Sequence, residues 1–131
     1  MPARATSITI VNHTSQDLHG GSGSLVHGMW NQSVPDSIPK GQSADMGAES
    51  DGIMSGDEGW VHYKSAAGDL KFHFDNPFIG DNSYDTTGPD SFSISSSGGD
   101  GNECHITWTV TEKVGHGHRI PSPLISNTVA R

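Results

Sequence analysis

Eight histidines, one cysteine and fifteen carboxylates are the residues of this chain that could do chemistry. A metal site needs ligands that converge, which helical i,i+4 pairs or Cys/His clusters would signal. The closest histidine pair is His116-x-His118, with no third ligand beside it in sequence. Cys104 stands next to His105, but adjacent residues of a strand point to opposite faces, so they cannot act as nucleophile and base. Sharing its face with Ile106 and Trp108, Cys104 reads as a buried structural thiol. Asp57-Glu58 and Asp75 carry no spacing that marks a hydrolase, and the Asp-x-Asn of Gly98–Glu103 lacks the rest of a calcium loop. No convergent catalytic set emerges, so the expectation is a protein that is not an enzyme and needs no cofactor or metal.

The aromatics point elsewhere. Tyr63, Phe72, Phe74, Phe92 and Trp108 fall on apolar faces and read as core. Trp60 lies opposite Val61 and Tyr63, and Trp30 precedes a polar loop. Phe78 and Tyr84 belong to FDNPFIGDNSYD (Phe74–Asp85), a stretch too polar for a core strand, and both are expected outside any strand. Aromatics placed off the core face suit a membrane or protein interface, because Trp and Tyr join an apolar body to a polar tip.

These residues must be positioned by strands, since period-two alternation dominates and helical periodicity is hard to find. In CHITWTVT, Cys104, Ile106, Trp108 and Val110 share one face; in DLKFHFD, Leu70, Phe72 and Phe74 do. SITIVN (Ser7–Asn12), GWVHYKS and SFSISS repeat the pattern, and weaker strands are expected at Leu25–Trp30 and Gln42–Glu49. AAGD reads as a tight hairpin that pairs the strands carrying His62 and His73. Seven or eight short strands with one apolar face each predict an all-β, single-domain antiparallel β-sandwich over residues 1–113. Residues 114–131, with two prolines and no alternation, read as a tail that is partly disordered or draped on the surface.

Seven Lys and Arg against fifteen Asp and Glu give a formal charge of −8, which argues against nucleic acid and against binding anionic lipid by charge alone. Twelve of the acids lie between Asp45 and Glu103, where Lys64 and Lys71 are the only bases. Protonating all eight histidines would cancel the −8, so acid-dependent solubility or membrane contact is expected. With one cysteine, no apolar stretch of signal-peptide length at the start and no run long enough to span a membrane, the expectation is a soluble protein without a classical export signal. It would be held as a cytoplasmic inclusion or released from the producing cell.

Several landmarks occur in order: VNHTSQDL, HGMW (His27–Trp30), AESDGIMSGDEG (Ala48–Gly59), DNPFIGDNSYD and SSSGGDGNECHITWTV. The series, over about residues 7 to 118, resembles the aegerolysin family, nearest its bacterial members that form the small component of two-component insecticidal proteins. The resemblance implies an actinoporin-like sandwich and a non-enzymatic activity. Such a component would bind a lipid head group or receptor on target cells of the insect midgut and act with a larger pore-forming partner; self-association is left open. Asp75, Pro77 and Gly80 match the family's DxP loop, with Asn82 and Tyr84 as in its bacterial version; Gly28 and Trp30 match a G-x-W element. Asn76 and Phe78 replace the Cys and Trp of fungal members, and His27 stands where those carry a Trp. The expected lipid- or partner-binding residues are therefore Trp30, Trp60, Asp75, Asn76, Phe78, Asn82 and Tyr84. The competing reading is a lectin-like or receptor-binding sandwich without pore function.

Overall fold

The computed structural model describes residues 2–113; the expected tail, with His116 and His118, lies outside the described residues. The described residues form nine strands: β1 (Ala5–His13), β2 (His19–His27), β3 (Met29–Gln32), β4 (Ser43–Glu49), β5 (Asp57–Ser65), β6 (Gly68–Asn76), β7 (Ser83–Thr87), β8 (Phe92–Gly98) and β9 (Glu103–Glu112). They form a five-stranded sheet in the order β3-β4-β1-β9-β8 and a four-stranded sheet in the order β2-β5-β6-β7. The alternation produces this architecture directly. Every second residue of β1 and β9 is buried, as is every second residue of β5 and β6. Two such half-apolar sheets are stable only when packed face to face.

Ile8, Ile10, Met46, Ile106, Trp108 and Val110 from the first sheet meet Val61, Tyr63, Leu70, Phe72 and Phe74 from the second. Phe72 and Trp108 bridge the sheets with ring centroids 5.2 Å apart. Cys104 is buried beside them, as its alternation requires. Leu18 and Ile38 pair through reciprocal backbone hydrogen bonds of 3.0 and 2.8 Å and bury both side chains completely. The β5–β6 hairpin turns through Ala66-Ala67, with Ser65 paired to Gly68.

Three features depart from expectation. First, β1 and β9 pair in parallel, unlike every other pair. A parallel pair needs a long crossover, and here the seven intervening strands supply it. Second, Leu25–Trp30 is not one strand. It breaks at Gly28 (φ 99°), where a Cβ would lie 2.5 Å from the Glu49 carbonyl oxygen and 3.0 Å from Asp57 Cβ. Only glycine fits that corner, which carries the chain from the four-stranded sheet (β2) into the five-stranded one (β3). Third, Tyr84 lies in a strand. β7 pairs with β6 so that Tyr84 faces Phe74 in register, and the ring stands edge-on to Trp108 at 6.0 Å.

Candidate functional site

Three segments meet at one end of the sandwich: the β2–β3 corner, the β4–β5 loop (50–56) and the start of the β6–β7 loop (77–82). Between them opens a cleft of about 450 Å³ lined by residues including His27, Met54, Asp57, Glu58, Asp75 and Phe78. A second recess of about 610 Å³ runs from Pro2 and Ala3 past Ser50–Met54 to Phe78. Met54 and Phe78 border both, so they form the wall between the two.

The rim is apolar. Among the described residues the large hydrophobic side chains left exposed are Val26 (56%), Met29 (45%), Ile53 (92%), Met54 (69%) and Ile79 (85%). All five belong to these three segments. Elsewhere the alternation hides such residues, so their gathering at one end is the anomaly that asks for a function. Met54 also holds φ at 58°, a conformation rare for a large side chain, in a turn that Ser55 Oγ closes by donating to the Gly52 carbonyl at 2.9 Å.

The floor is acidic. Asp57 opens β5 and is 1% exposed; Thr6 Oγ1 donates to its Oδ1 at 2.6 Å, while Oδ2 has no hydrogen-bond partner in the protein. Burial pushes its carboxyl up to about 6, against the Thr6 hydrogen bond, with Asp75 and Glu49 adding to the rise. Burial and then the Glu58 charge raise Asp75 as well, opposed by His73 and His27. Glu58 is held 2.9 Å from His73 Nε2, and the other ring nitrogen lies 3.7 Å from Asp85. Crowded carboxyls with raised proton affinity make a cleft that favours a cation over an anion.

The loop at the cleft is tied to the frame from behind. The Arg4 guanidinium donates to the carbonyls of Pro77 (3.1 Å) and Phe78, and stacks 4.8 Å from the Phe78 ring centroid. The expected site residues now separate. Asp75 and Phe78 line the cleft. Asn76 does not face solvent: it is fully buried, and Nδ2 donates to the Asn102 carbonyl at 3.0 Å, with the Ala5 carbonyl and Thr6 Oγ1 both at 3.3 Å. Asn82 Nδ2 spans the carbonyls of Gly99 (2.8 Å) and Gly101 (2.9 Å), which pins the β6–β7 loop to the β8–β9 loop. Tyr84 donates to the Gly99 carbonyl at 2.8 Å and touches Cys104 Sγ at 3.2 Å. It is an edge-of-core residue rather than one presented away from the core, and burial raises its phenol above the usual range.

Trp30 is half-buried and packs edge-on against Phe74 at 5.9 Å. Trp60 lies on the outer face of the four-stranded sheet, as its alternation requires, stacked 4.5 Å from His73. The structure therefore brings Asp75 and Phe78 to the cleft, sets Trp60 beside its Glu58–His73 margin, and assigns Asn76, Asn82 and Tyr84 to the frame. Sequence reasoning missed Ile53, Met54 and Ile79, having sought aromatics. The available signal was Gly52-Ile53-Met54-Ser55-Gly56, two large apolar side chains inside a turn built of small residues.

No family model matches the chain. It is 31% identical over 125 residues to an uncharacterized protein of Dictyostelium discoideum; the match takes in 93% of this chain but spans only 11% of that protein's length. Among solved structures it resembles IP-1A from Alcaligenes faecalis, with a TM-score of 0.67 and 19% identity over 86% of this chain and 93% of that one. It also resembles the lipid binding protein Nakanori, with a TM-score of 0.71 and 13% identity over 82% of this chain and 71% of that one. These likenesses show the fold, a two-sheet β-sandwich that the chain shares with both proteins.

Proposed function

We propose that this protein recognises a membrane through the end that bears the acidic cleft. The observation that carries the reading is the exposure of Val26, Met29, Ile53, Met54 and Ile79 on the three segments that meet at the acidic cleft, with Met54 lining it. Fully burying a side chain of this size is worth about 1.5–3 kcal/mol, so even partial seating of the rim in a bilayer interface gives useful affinity. The cleft then receives a head group. Asp75 and Glu58 suit the ammonium of a phosphoethanolamine or phosphocholine lipid. The net charge of −8 disfavours anionic bilayers, which leaves zwitterionic ones. Phe78, held by Arg4 on the wall of the cleft, is an aromatic ring of the kind that favours the head-group boundary. The likeness to a lipid-binding protein of the same fold supports the assignment.

The finer reading is that the chain is the small, membrane-targeting component of a two-component pore-forming toxin, non-enzymatic and acting with a larger partner at the target-cell surface. The strands of the described residues run four to ten residues and are all engaged in the two sheets. A transmembrane hairpin would have to be drawn out of these sheets, which supports leaving the pore to a partner. Co-sedimentation with vesicles of phosphocholine, phosphoethanolamine and anionic lipids tests the first reading; preference for the anionic vesicles contradicts it. Dye release from insect midgut vesicles tests the second. Strong release by this chain alone contradicts the two-component mechanism.

A further inference from the structure

The outer face of the four-stranded sheet carries a second site of opposite sign. Near the β5–β6 hairpin it opens a groove of about 280 Å³ bordered by Ser22, Ser24, His62, Lys64, Asp69 and Lys71. The register builds it. Ser22 pairs with His62 and His62 with Lys71, so the three form one row across β2, β5 and β6; Lys64 pairs with Asp69 in the next row. Lys64 and Lys71 thus stand diagonally on one face, a spacing of roughly 7–8 Å between backbones that long side chains close easily.

Lys64 and Lys71 are the only two bases between Asp45 and Glu103, and they share this one groove. Among the described residues the ion pairs are those of His73 with Glu58 and Asp85; Asp69, opposite Lys64 in register, makes no contact pair with either lysine and offsets one of their two charges. Two ammonium groups set beside an imidazole repel one another unless an anion lies between them. The Lys64 stem lies over Gly20 of β2, whose Cβ position would be in ordinary contact with Lys64 Cδ at 3.4 Å.

We propose that this groove binds an anionic sugar, its sulfate or phosphate ester held by Lys64, Lys71 and His62 and its ring hydroxyls by Ser22 and Ser24. Three donors around one opening match the three terminal oxygens of an ester oxyanion. The groove has room beyond the ester, and Trp60, one row along the sheet beside Ser24 in register, offers apolar surface to a sugar ring. The choice of a sugar over a lipid phosphate rests on the membrane reading above. Lys64 lies six residues along β5 from Glu58, about 20 Å at strand rise. With the apolar rim on the bilayer, a ligand at the groove must project from the surface as glycans do.

The test is an amide chemical-shift titration of the full chain with glucose 6-sulfate, glucose 6-phosphate, glucose and inorganic sulfate at matched ionic strength. The expected result is saturable shifts confined to Ser22, Ser24, His62, Lys64 and Lys71 for the two esters, with inorganic sulfate and glucose at least tenfold weaker. Lys64→Ser with Lys71→Ser should abolish the shifts at an unchanged melting temperature, and Asp69→Asn should tighten binding two- to fivefold. Scattered shifts, equal binding of inorganic sulfate, or indifference to the lysine pair would overturn the proposal. So would lysine-dependent binding to phosphoinositide vesicles that the sugar esters do not compete, which would make it a lipid site. The lysine variant should keep its binding to zwitterionic vesicles, and a variant of the apolar rim should keep its sugar-ester binding; the two readings thus fail separately.

Discussion

The two ends of strand β5 differ in every property that governs recognition. At its start, Asp57 and Glu58 border a cleft whose rim is apolar, whose floor is acidic, and whose loop is clamped by Arg4. At its finish, Lys64 borders a groove edged by Ser22, Ser24, His62, Asp69 and Lys71, side chains that the register sets on one face. The first is made from loops with a strained turn; the second is made from paired strands, with one irregularity in β2 at Gly20. A loop-built end can place large apolar side chains in water because its backbone is free of the alternation that would bury them. A sheet-built end is limited to what alternation sends outward, here Ser, His, Lys and Asp. The comparison shows where each kind of function can arise in a small sandwich.

The largest expected effect is on the rim. Ile53→Ser, Met54→Ser and Ile79→Ser together should weaken binding to zwitterionic vesicles by about a hundredfold, roughly 1 kcal/mol for each side chain, while the melting temperature stays the same. Co-sedimentation and calorimetry read the two outcomes. Lost stability would show that the rim is structural and erase the contrast with the polar end.

Next come the two aromatics that sequence placed together. Tyr84→Ala should cost about 2–4 kcal/mol of stability, since the ring packs on Trp108 and its hydroxyl bonds Gly99. Phe78→Ala should leave urea unfolding nearly unchanged and reduce vesicle binding several-fold. The reverse pattern would return Phe78 to a structural role.

Asp57 sharpens the acid end through pH. Its folded-state value of about 6 stands above the ordinary carboxyl value near 3.8, so the folded protein holds a proton that the unfolded chain has lost. This group therefore adds stability as pH falls from about 6 towards 4 and withdraws it as pH rises through 6. Asp57→Asn should stabilise the protein at pH 7.5 by about 1–2 kcal/mol and remove that part of the pH dependence, measured by thermal unfolding from pH 4.5 to 7.5. A wild-type curve that does not rise on acidification over this window would contradict the assignment.

The smallest effect concerns charge in the cleft. Asp75→Asn should reduce binding to phosphoethanolamine and phosphocholine vesicles about threefold, on the order of 0.6 kcal/mol, without altering sugar-ester binding at the other end. Tighter vesicle binding would show that the carboxylate opposes the membrane rather than reads it.

How much of this the sequence disclosed follows from which forces act locally. The paired apolar faces, the burial of Cys104 and the outward Trp60 were all readable, because alternation is a property of neighbours in the chain. β7 was not, because SYDTT has one large apolar side chain and becomes a strand only by pairing with β6. The break at Gly28 was hidden for a similar reason: it is required by the Glu49 carbonyl and Asp57, which lie elsewhere in the sequence. Asn76 and Asn82 looked like ligand contacts because buried and exposed asparagines read alike until their carbonyl partners are known. Ile53 and Met54 escaped notice although the clue was local, since exposed aliphatics leave no pattern except their misplacement in a turn.

The parallel seam between β1 and β9 has a consequence in time. Thr6 and Arg4, which brace Asp57 and the Pro77–Phe78 loop, belong to or adjoin the first strand, and that strand completes its ladder only against the last. During synthesis the end that bears the acidic cleft therefore cannot be finished until β9 has left the ribosome. The same long-range closure should make refolding a millisecond-to-second event. Stopped-flow fluorescence of Trp108, which enters the core on β9, in a variant carrying Trp30→Phe and Trp60→Phe, should report closure in that range.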